Sequence, residues 1–181
     1  MTKIVADQAA FSKASGTNDS DSAGSVSNIR QITFGDLLRE AVLESGDRLA
    51  MVDGVADPAQ RRRWTYNALL EQAEPVARAL LARFQTGAQI ALCSPNCPEW
   101  VIFEFGTAIA GMVLVPVNPA YREAELAMVL QDSEAAALFH SDSWRGSNIA
   151  EIATSVRDTA IPNLVLVSLS TWDEFLVSGE V

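Results

Sequence analysis

The chain has 181 residues, 49% hydrophobic and 20% charged, with a formal net charge of -10. That length supports one α/β domain with a sizeable core. The acidic balance argues against nucleic acid as a partner, because phosphate neutralisation calls for a basic face. Every basic residue except Lys3 and Lys13 is arginine, which leaves no catalytic ammonium or phosphate-loop lysine in the body of the chain.

Residues 1–29, with the run SGTNDSDSAGSVSN, are rich in Ser, Asp, Asn, Gly and Ala. Such a composition buries too little apolar surface to offset ordering entropy, so a disordered leader is expected there, followed by one α/β unit over 30–181. No stretch approaches the ~20 apolar residues of a membrane span. The start lacks the apolar run of a secretory signal, and with two cysteines a reducing cytoplasm is the expected location.

The first helix is expected to begin at Thr33, which stands three residues before Asp36 in capping-box spacing. Phe34, Leu37, Leu38, Ala41 and Val42 form its apolar stripe, and Gly46 is placed to end it in the left-handed region. Short strands follow at Leu49 to Val52 and Arg63 to Tyr66, joined by a loop through Asp53-Gly54 and Asp57-Pro58. The triplet Arg61-Arg62-Arg63 reads as a solvated turn between them. A helix over 67–84 buries Leu69, Ala73, Val76, Ala77, Leu80 and Phe84, with a kink expected near Pro75.

Regular alternation then sets in. Buried strands are expected at Ile90 to Cys93, Met112 to Val117, Ala135 to Phe139 and Leu164 to Val167, with helices over 97–110, 122–132 and 147–157 between them. This pattern predicts an α/β fold with a mainly parallel sheet flanked by helices on both faces.

Motif by motif, the chemistry is sparse. Cys93 and Cys97 are spaced one residue too far for a redox dithiol and lack the second pair of a zinc site. CSPNCPEW reads instead as a strand-to-helix junction: Cys93 ends the strand, Asn96 caps the helix with Glu99, and Pro98 opens it. No Gly-x-Gly-x-x-Gly occurs, and Gly106 and Gly111 have Walker spacing but are followed by Met112-Val113. Packing and capping account for both glycines. His140 falls at the carboxyl end of a strand, where open α/β sheets place ligands, beside Ser141, Asp142 and Ser143. Neighbours in a loop do not by themselves make a triad. Glu123, Glu125, Asp132 and Glu134 read as solvated helix faces. The residues therefore nominate no catalytic, cofactor-binding or metal site.

Three stretches, WTYNALLEQAEPVARALL, IALCSPNCPEW and AIAGMVLVPVNPAYREAELAMVLQDSEAAALF, closely resemble the N-terminal part of adenylate-forming (AMP-binding) acid–CoA ligases. Thr65-Tyr66 with Leu69 looks like the family's opening motif. Ala110-Gly111 through Pro116-Val117-Asn118-Pro119 looks like its second, and Asn96, Pro98, Glu99 and Trp100 match its Asn-x-Pro-Glu-Trp junction. The resemblance covers roughly residues 34 to 177. Asn118-Pro119-Ala120-Tyr121, followed by Glu125-Leu126, is closer to fatty- and aryl-acid ligases than to peptide-synthetase domains, which typically carry Asp at the position of Asn118.

The resemblance implies a reaction of carboxylate, ATP and coenzyme A through an acyl-adenylate, assisted by Mg2+. It also implies that a Ser/Thr/Gly-rich phosphate loop and a later lysine perform the phosphoryl chemistry. Neither the loop nor the lid of that family is in this sequence, so the chain is expected to be inactive alone and to bind none of the three cofactors tightly. Gly87-Ala88-Gln89 also replaces the usual Gly-Asp-Arg. The alternative expectation is a non-catalytic module that docks on a complementary ligase fragment or self-associates. An unrelated nucleotide-binding α/β protein is the third reading.

Overall fold

The computed structural model describes residues 30–177 and Gly179; the expected leader at 1–29 lies outside the described residues. Four parallel strands, β3 (Gln89–Cys93), β4 (Val113–Val117), β5 (Ala137–His140) and β8 (Val165–Ser168), form a sheet in the order β4-β3-β5-β8. The expected fold class is thus observed.

The helices divide between the two faces. Ile90, Leu92, Ala137, Phe139 and Val167 project to one side, where they meet α2 (Tyr66–Leu81), α3 (Pro98–Ile109) and α6 (Trp172–Val177). Ala91, Cys93, Val117, Leu138 and Leu164 project to the other, onto α4 (Glu123–Asp132) and α5 (Ile149–Ala160). This period-two split of near-continuous apolar strands is what a sheet covered on both faces requires. On the first face Phe103, Phe139, Trp172 and Phe175 form an aromatic cluster, with the Phe103 and Phe139 ring centroids 4.5 Å apart.

Ahead of the sheet lie α1 (Phe34–Ser45) and an antiparallel pair, β1 (Leu49–Val52) with β2 (Arg63–Thr65). Thr33 caps α1 as expected, its hydroxyl accepting from the Asp36 amide at 3.0 Å. Only Gly35 and Leu38 of α1 are buried, however. Phe34 and Leu37 of the expected stripe stay exposed, because α1 rides on α2 and α3 at the margin of the core, and Phe34 is covered on one side by stacking on Phe105.

Gly46 is a correction. It adopts ordinary right-handed helical angles (φ -52°, ψ -38°), so handedness does not call for glycine there. Close approach does: a Cβ would come within 2.5 Å of the Asn67 side-chain oxygen and 2.8 Å of the Val42 carbonyl. Gly111 behaves as capping predicts, with φ +66° just past the end of α3.

α2 runs through Pro75 without a break, held by Leu69 and Ala73 before the proline and Val76, Ala77 and Leu80 after it, all buried. β4 was expected to be buried, yet Val113 is 50% exposed, because β4 is an edge strand. The helix expected from residue 147 starts at Ile149. Ser147–Asn148 (β7) instead pairs antiparallel with Ser143–Trp144 (β6). Arg145 and Gly146, both at positive φ, make the tight turn between them, as a two-residue hairpin of the I′ type demands. α6 was not foreseen from periodicity; at six residues it is too short to show any.

Candidate functional site

The carboxyl edge of the parallel sheet is the candidate site. From β3 the chain passes into α3 on one face, and from β5 into α5 on the other, so the strand order reverses between β3 and β5. In open α/β sheets ligands bind at such a reversal, beyond the strand ends. The residues brought there are Cys93 and Ser94 from β3 and His140 and Ser141 from β5. Cys93 and His140 are register partners, and the Ser141 amide donates to the Cys93 carbonyl at 3.1 Å.

His140 is 5% exposed. Its Nδ1 lies 3.2 Å from the carbonyl of Ser141, and burial lowers its pKa from the ordinary 6.5, outweighing that contact and the charge of Asp142. The hydroxyl of Ser141 is buried and has no hydrogen-bond partner among the described residues. Asp142 turns away to the neighbouring strand. Its carboxylate accepts from the Ser168 hydroxyl at the end of β8, and this bond, chiefly, holds its pKa below the ordinary 3.8. Ser168 also caps a single 3-10 turn over Leu169–Thr171, its hydroxyl accepting from the Ser170 amide at 3.0 Å. His140, Ser141 and Asp142 therefore form no relay: the imidazole meets a backbone carbonyl and the carboxylate meets a serine of another strand. Ser168 could not have been singled out from sequence, since only the β5–β8 pairing brings it to Asp142.

The cysteines are explained by packing. Both are free thiols; Cys93 is buried in the strand, and burial pushes its pKa up to about 11. Burial also raises the pKa of Cys97. Here the junction corrects the reading from sequence. Cys97, not Asn96, is the residue preceding α3, with no side-chain bond to the helix start, while Pro98 holds the first helical position as expected. Glu99, the expected partner of the cap, bonds elsewhere: Arg62 donates to it at 2.8 Å.

The arginine triplet is exposed as expected but is not wholly a turn: Arg61 and Arg62 lead into β2, and Arg63 is its first residue, paired with Val52. Arg61 donates to the carbonyls of Val55 and Ala56. Arg62 bridges Asp53 and Glu99, which raises its pKa, and lies 5.1 Å from the centre of the Trp64 ring. Glu123, Glu125, Asp132 and Glu134 are exposed. Glu125 accepts from the Arg122 amide at 3.0 Å and so braces the start of α4. Asn118 turns the chain out of β4, its side-chain oxygen accepting from the Ala120 amide at 3.0 Å. Among the described residues no three His, Cys, Asp or Glu side chains gather as a metal site. Two open clefts, along α5 from Asn148 to Asp158 and beside the segment from Arg30 to Glu40, include none of the carboxyl-edge residues.

A family model described as AMP-binding enzyme matches residues 38–175. The chain is 34% identical over 164 residues to acyl-CoA ligase SID4 of Ajellomyces capsulatus, covering 83% of this chain and 27% of that protein. It is 35% identical over 107 residues to the mitochondrial medium-chain acyl-CoA ligase ACSF2 of Danio rerio, covering 57% of this chain and 16% of that protein. Among solved structures, the N-terminal domain of FACL13 from Mycobacterium tuberculosis matches with a TM-score of 0.67 at 22% identity, over 82% of this chain and 36% of that one. At that identity the likeness bears on the fold alone. The chain thus spans about a quarter or less of the two ligases' lengths.

Proposed function

This chain belongs to the AMP-binding enzyme family, and from that premise we propose that it forms the N-terminal part of an ATP-dependent acid–CoA ligase. The observation that carries the proposal is the family match over 38–175, which runs through every strand of the parallel sheet. In the reaction, a carboxylate attacks the α-phosphorus of ATP to give acyl-adenylate and pyrophosphate. The thiol of coenzyme A then displaces AMP to give the thioester. A fatty or aryl acid is the proposed substrate class, supported by the Asn118-Pro119-Ala120-Tyr121 resemblance and by a relative named for medium-chain acids.

The role proposed for this chain is scaffold. The described residues do not fit the nucleotide or its Mg2+: they contain no lysine and no cluster of three metal-binding side chains. The described residues therefore supply no group to either step of that reaction, and the chain alone is proposed to be inactive. Cytoplasmic placement is supported by the two free thiols, which suit a reducing compartment.

The test is a pair of measurements. The 181-residue chain is assayed for ATP–pyrophosphate exchange with medium-chain fatty and aryl acids, with exchange at background expected. A chimera, in which this chain replaces the aligned segment of the Ajellomyces capsulatus ligase, is expected to fold and make acyl-CoA. Robust exchange by the chain alone, or a chimera that is folded but dead, overturns the proposal. A second reading, a non-catalytic module that docks on a complementary ligase fragment, is favoured by the outer edge of β8, with which no strand pairs among the described residues.

A further inference from the structure

Helix α1 carries apolar side chains that the body of the chain does not cover. It packs chiefly on α2 and α3 and buries only Gly35 and Leu38. Phe34, 54% exposed, and Leu37, 42% exposed, lie with Ala41 along one flank, at the spacing i, i+3, i+7. Phe105 of α3 widens that flank: it is partly buried and stacks on Phe34 with ring centroids 5.5 Å apart. A strip shared by two helices is more than the scattered single residue that any surface carries.

Carboxylates border the strip. Glu44, seven residues on from Leu37, continues its line along α1 and is exposed. Glu104 precedes Phe105 on α3 and is half-buried. Burial raises its pKa from the ordinary 4.5, and among the described residues no cation lies against it to offset that. A carboxylate drawn out of water calls for a positive partner.

The same chain holds a segment of matching chemistry. Residues 1–29 lead into Arg30, just ahead of the Thr33 cap and so at the end of α1 where Phe34 stands. The large apolar residues of this leader gather at its start, as Met1, Ile4, Val5 and Phe11, and none occurs from Ser12 to Ser25. Met1, Ile4 and Phe11 are three and seven residues apart, the spacing of one helical face. Lys3 and Lys13, the only lysines of a chain with net charge -10, bracket Ile4 and Phe11.

We propose that the leader, through Ile4, Phe11 and its two lysines, folds back over the strip of Phe34, Leu37 and Phe105 in the same chain. The inference does not depend on the ligase reading. Length allows it: residues 14–29 span about 50 Å when extended, against about 18 Å for the 12 residues of α1. Tethering favours it over a second copy. Attachment presents the leader at an effective concentration on the order of 1 mM, about a thousandfold above a second copy at micromolar concentration. A segment too polar to build a core of its own can still order on a face that supplies the apolar surface.

The test is zero-length carbodiimide cross-linking of the 181-residue chain at micromolar concentration, read by peptide mass spectrometry. Because Lys3 and Lys13 are the only lysines, every lysine in a link belongs to the leader. Links to Glu44 and Glu104 are expected to exceed those to Glu123 of α4 and Asp158 of α5 by about tenfold. The double variant Ile4→Asp, Phe11→Asp changes only the leader and keeps both lysines, and it should abolish that preference. Amide exchange across 34–45 should run about threefold or more faster in the double variant than in the parent chain.

Links spread evenly over the surface carboxylates overturn the inference, and so does a link preference or an exchange rate that the double variant leaves unchanged. A mixture of unlabelled and isotope-labelled chains identifies the source of the lysine. Links within one isotope support the fold-back; mixed-isotope links in proportion to the mixing assign the strip to a second copy and overturn it. The ligase reading is judged separately, by the pyrophosphate-exchange assay and the chimera.

Discussion

Gly106 of α3 lies directly against Val76 of α2: a Cβ at position 106 would stand 2.6 Å from the Cβ and Cγ1 of Val76 and 3.0 Å from the carbonyl of Ala73. This contact lies in the pairing of α2 and α3, two of the helices that cover one face of the sheet. In an open helix, Gly→Ala gains about 1 kcal/mol from backbone entropy. Here the backbone carbonyl of Ala73 cannot move aside, so overpacking wins. Gly106→Ala is expected to cost about 1–3 kcal/mol in urea unfolding. In a Val76→Ala background the cost should shrink but not vanish, because Cγ1 is gone while the residue-76 Cβ and the Ala73 carbonyl remain, and a cycle showing simple additivity would remove the argument.

Arg62 should contribute modestly. It reaches across from the residue before β2 to Glu99 on α3 and to Asp53, but its side chain is half exposed, so solvent screens both pairs. Arg62→Ala is expected to cost about 0.5–1 kcal/mol at low salt. The difference from the parent chain should shrink in 1 M salt, where the Debye length falls to about 3 Å. Arg62→Lys should recover little, because a point charge cannot bridge two carboxylates while lying over Trp64.

The buried His140 sets a pH dependence of known sign. Its folded-state pKa lies below 6.5, since burial disfavours the imidazolium. Above pH 6.5 the ring is neutral in both states and costs nothing. As pH falls through 6.5 the unfolded chain takes up the proton first, and stability is lost until the folded-state pKa is reached. Urea unfolding from pH 7 to pH 5 should show this decline, and His140→Gln should flatten it. An equal slope in the variant would show that other groups carry the effect.

Cys93 should be chemically silent in the folded chain. With its pKa near 11 against an ordinary 9.0, its thiolate population at pH 8 is about a hundredfold below that of a free thiol, and the group is buried besides. Iodoacetamide at pH 8 is expected to label Cys97, which is half-buried, before Cys93, and both at once after unfolding in urea. Labelling of Cys93 first would place it outside the core.

Continuous apolar runs such as IALC and ALF were legible because burying both faces of a parallel strand leaves no polar position, and that constraint is local. The Thr33 cap and the Gly111 stop were legible for the same reason: each is settled within one turn of backbone. What failed was whatever depended on a distant neighbour. Val113 and Val115 look as buried as Ile90 and Leu92, and only the order of strands makes β4 an edge. Gly46 looks like a helix stop, and only the approach of Asn67 shows why the side chain had to go. Asn96 looks like a cap, but the turn after β3 delivers Cys97 to that position and Glu99 to Arg62.

The candidate site divides the same way. From its place at a strand's end, His140 could be put at the carboxyl edge. That Asp142 would leave it for Ser168, twenty-six residues on, follows from the pairing of β5 with β8. By itself, then, the sequence determined the class of fold and the family resemblance, because both are written in short-range pattern and motif order. The tertiary structure alone decided which strands are edges and which polar groups meet at the end of the sheet. Those are relations between segments far apart in the chain, and no local rule encodes them.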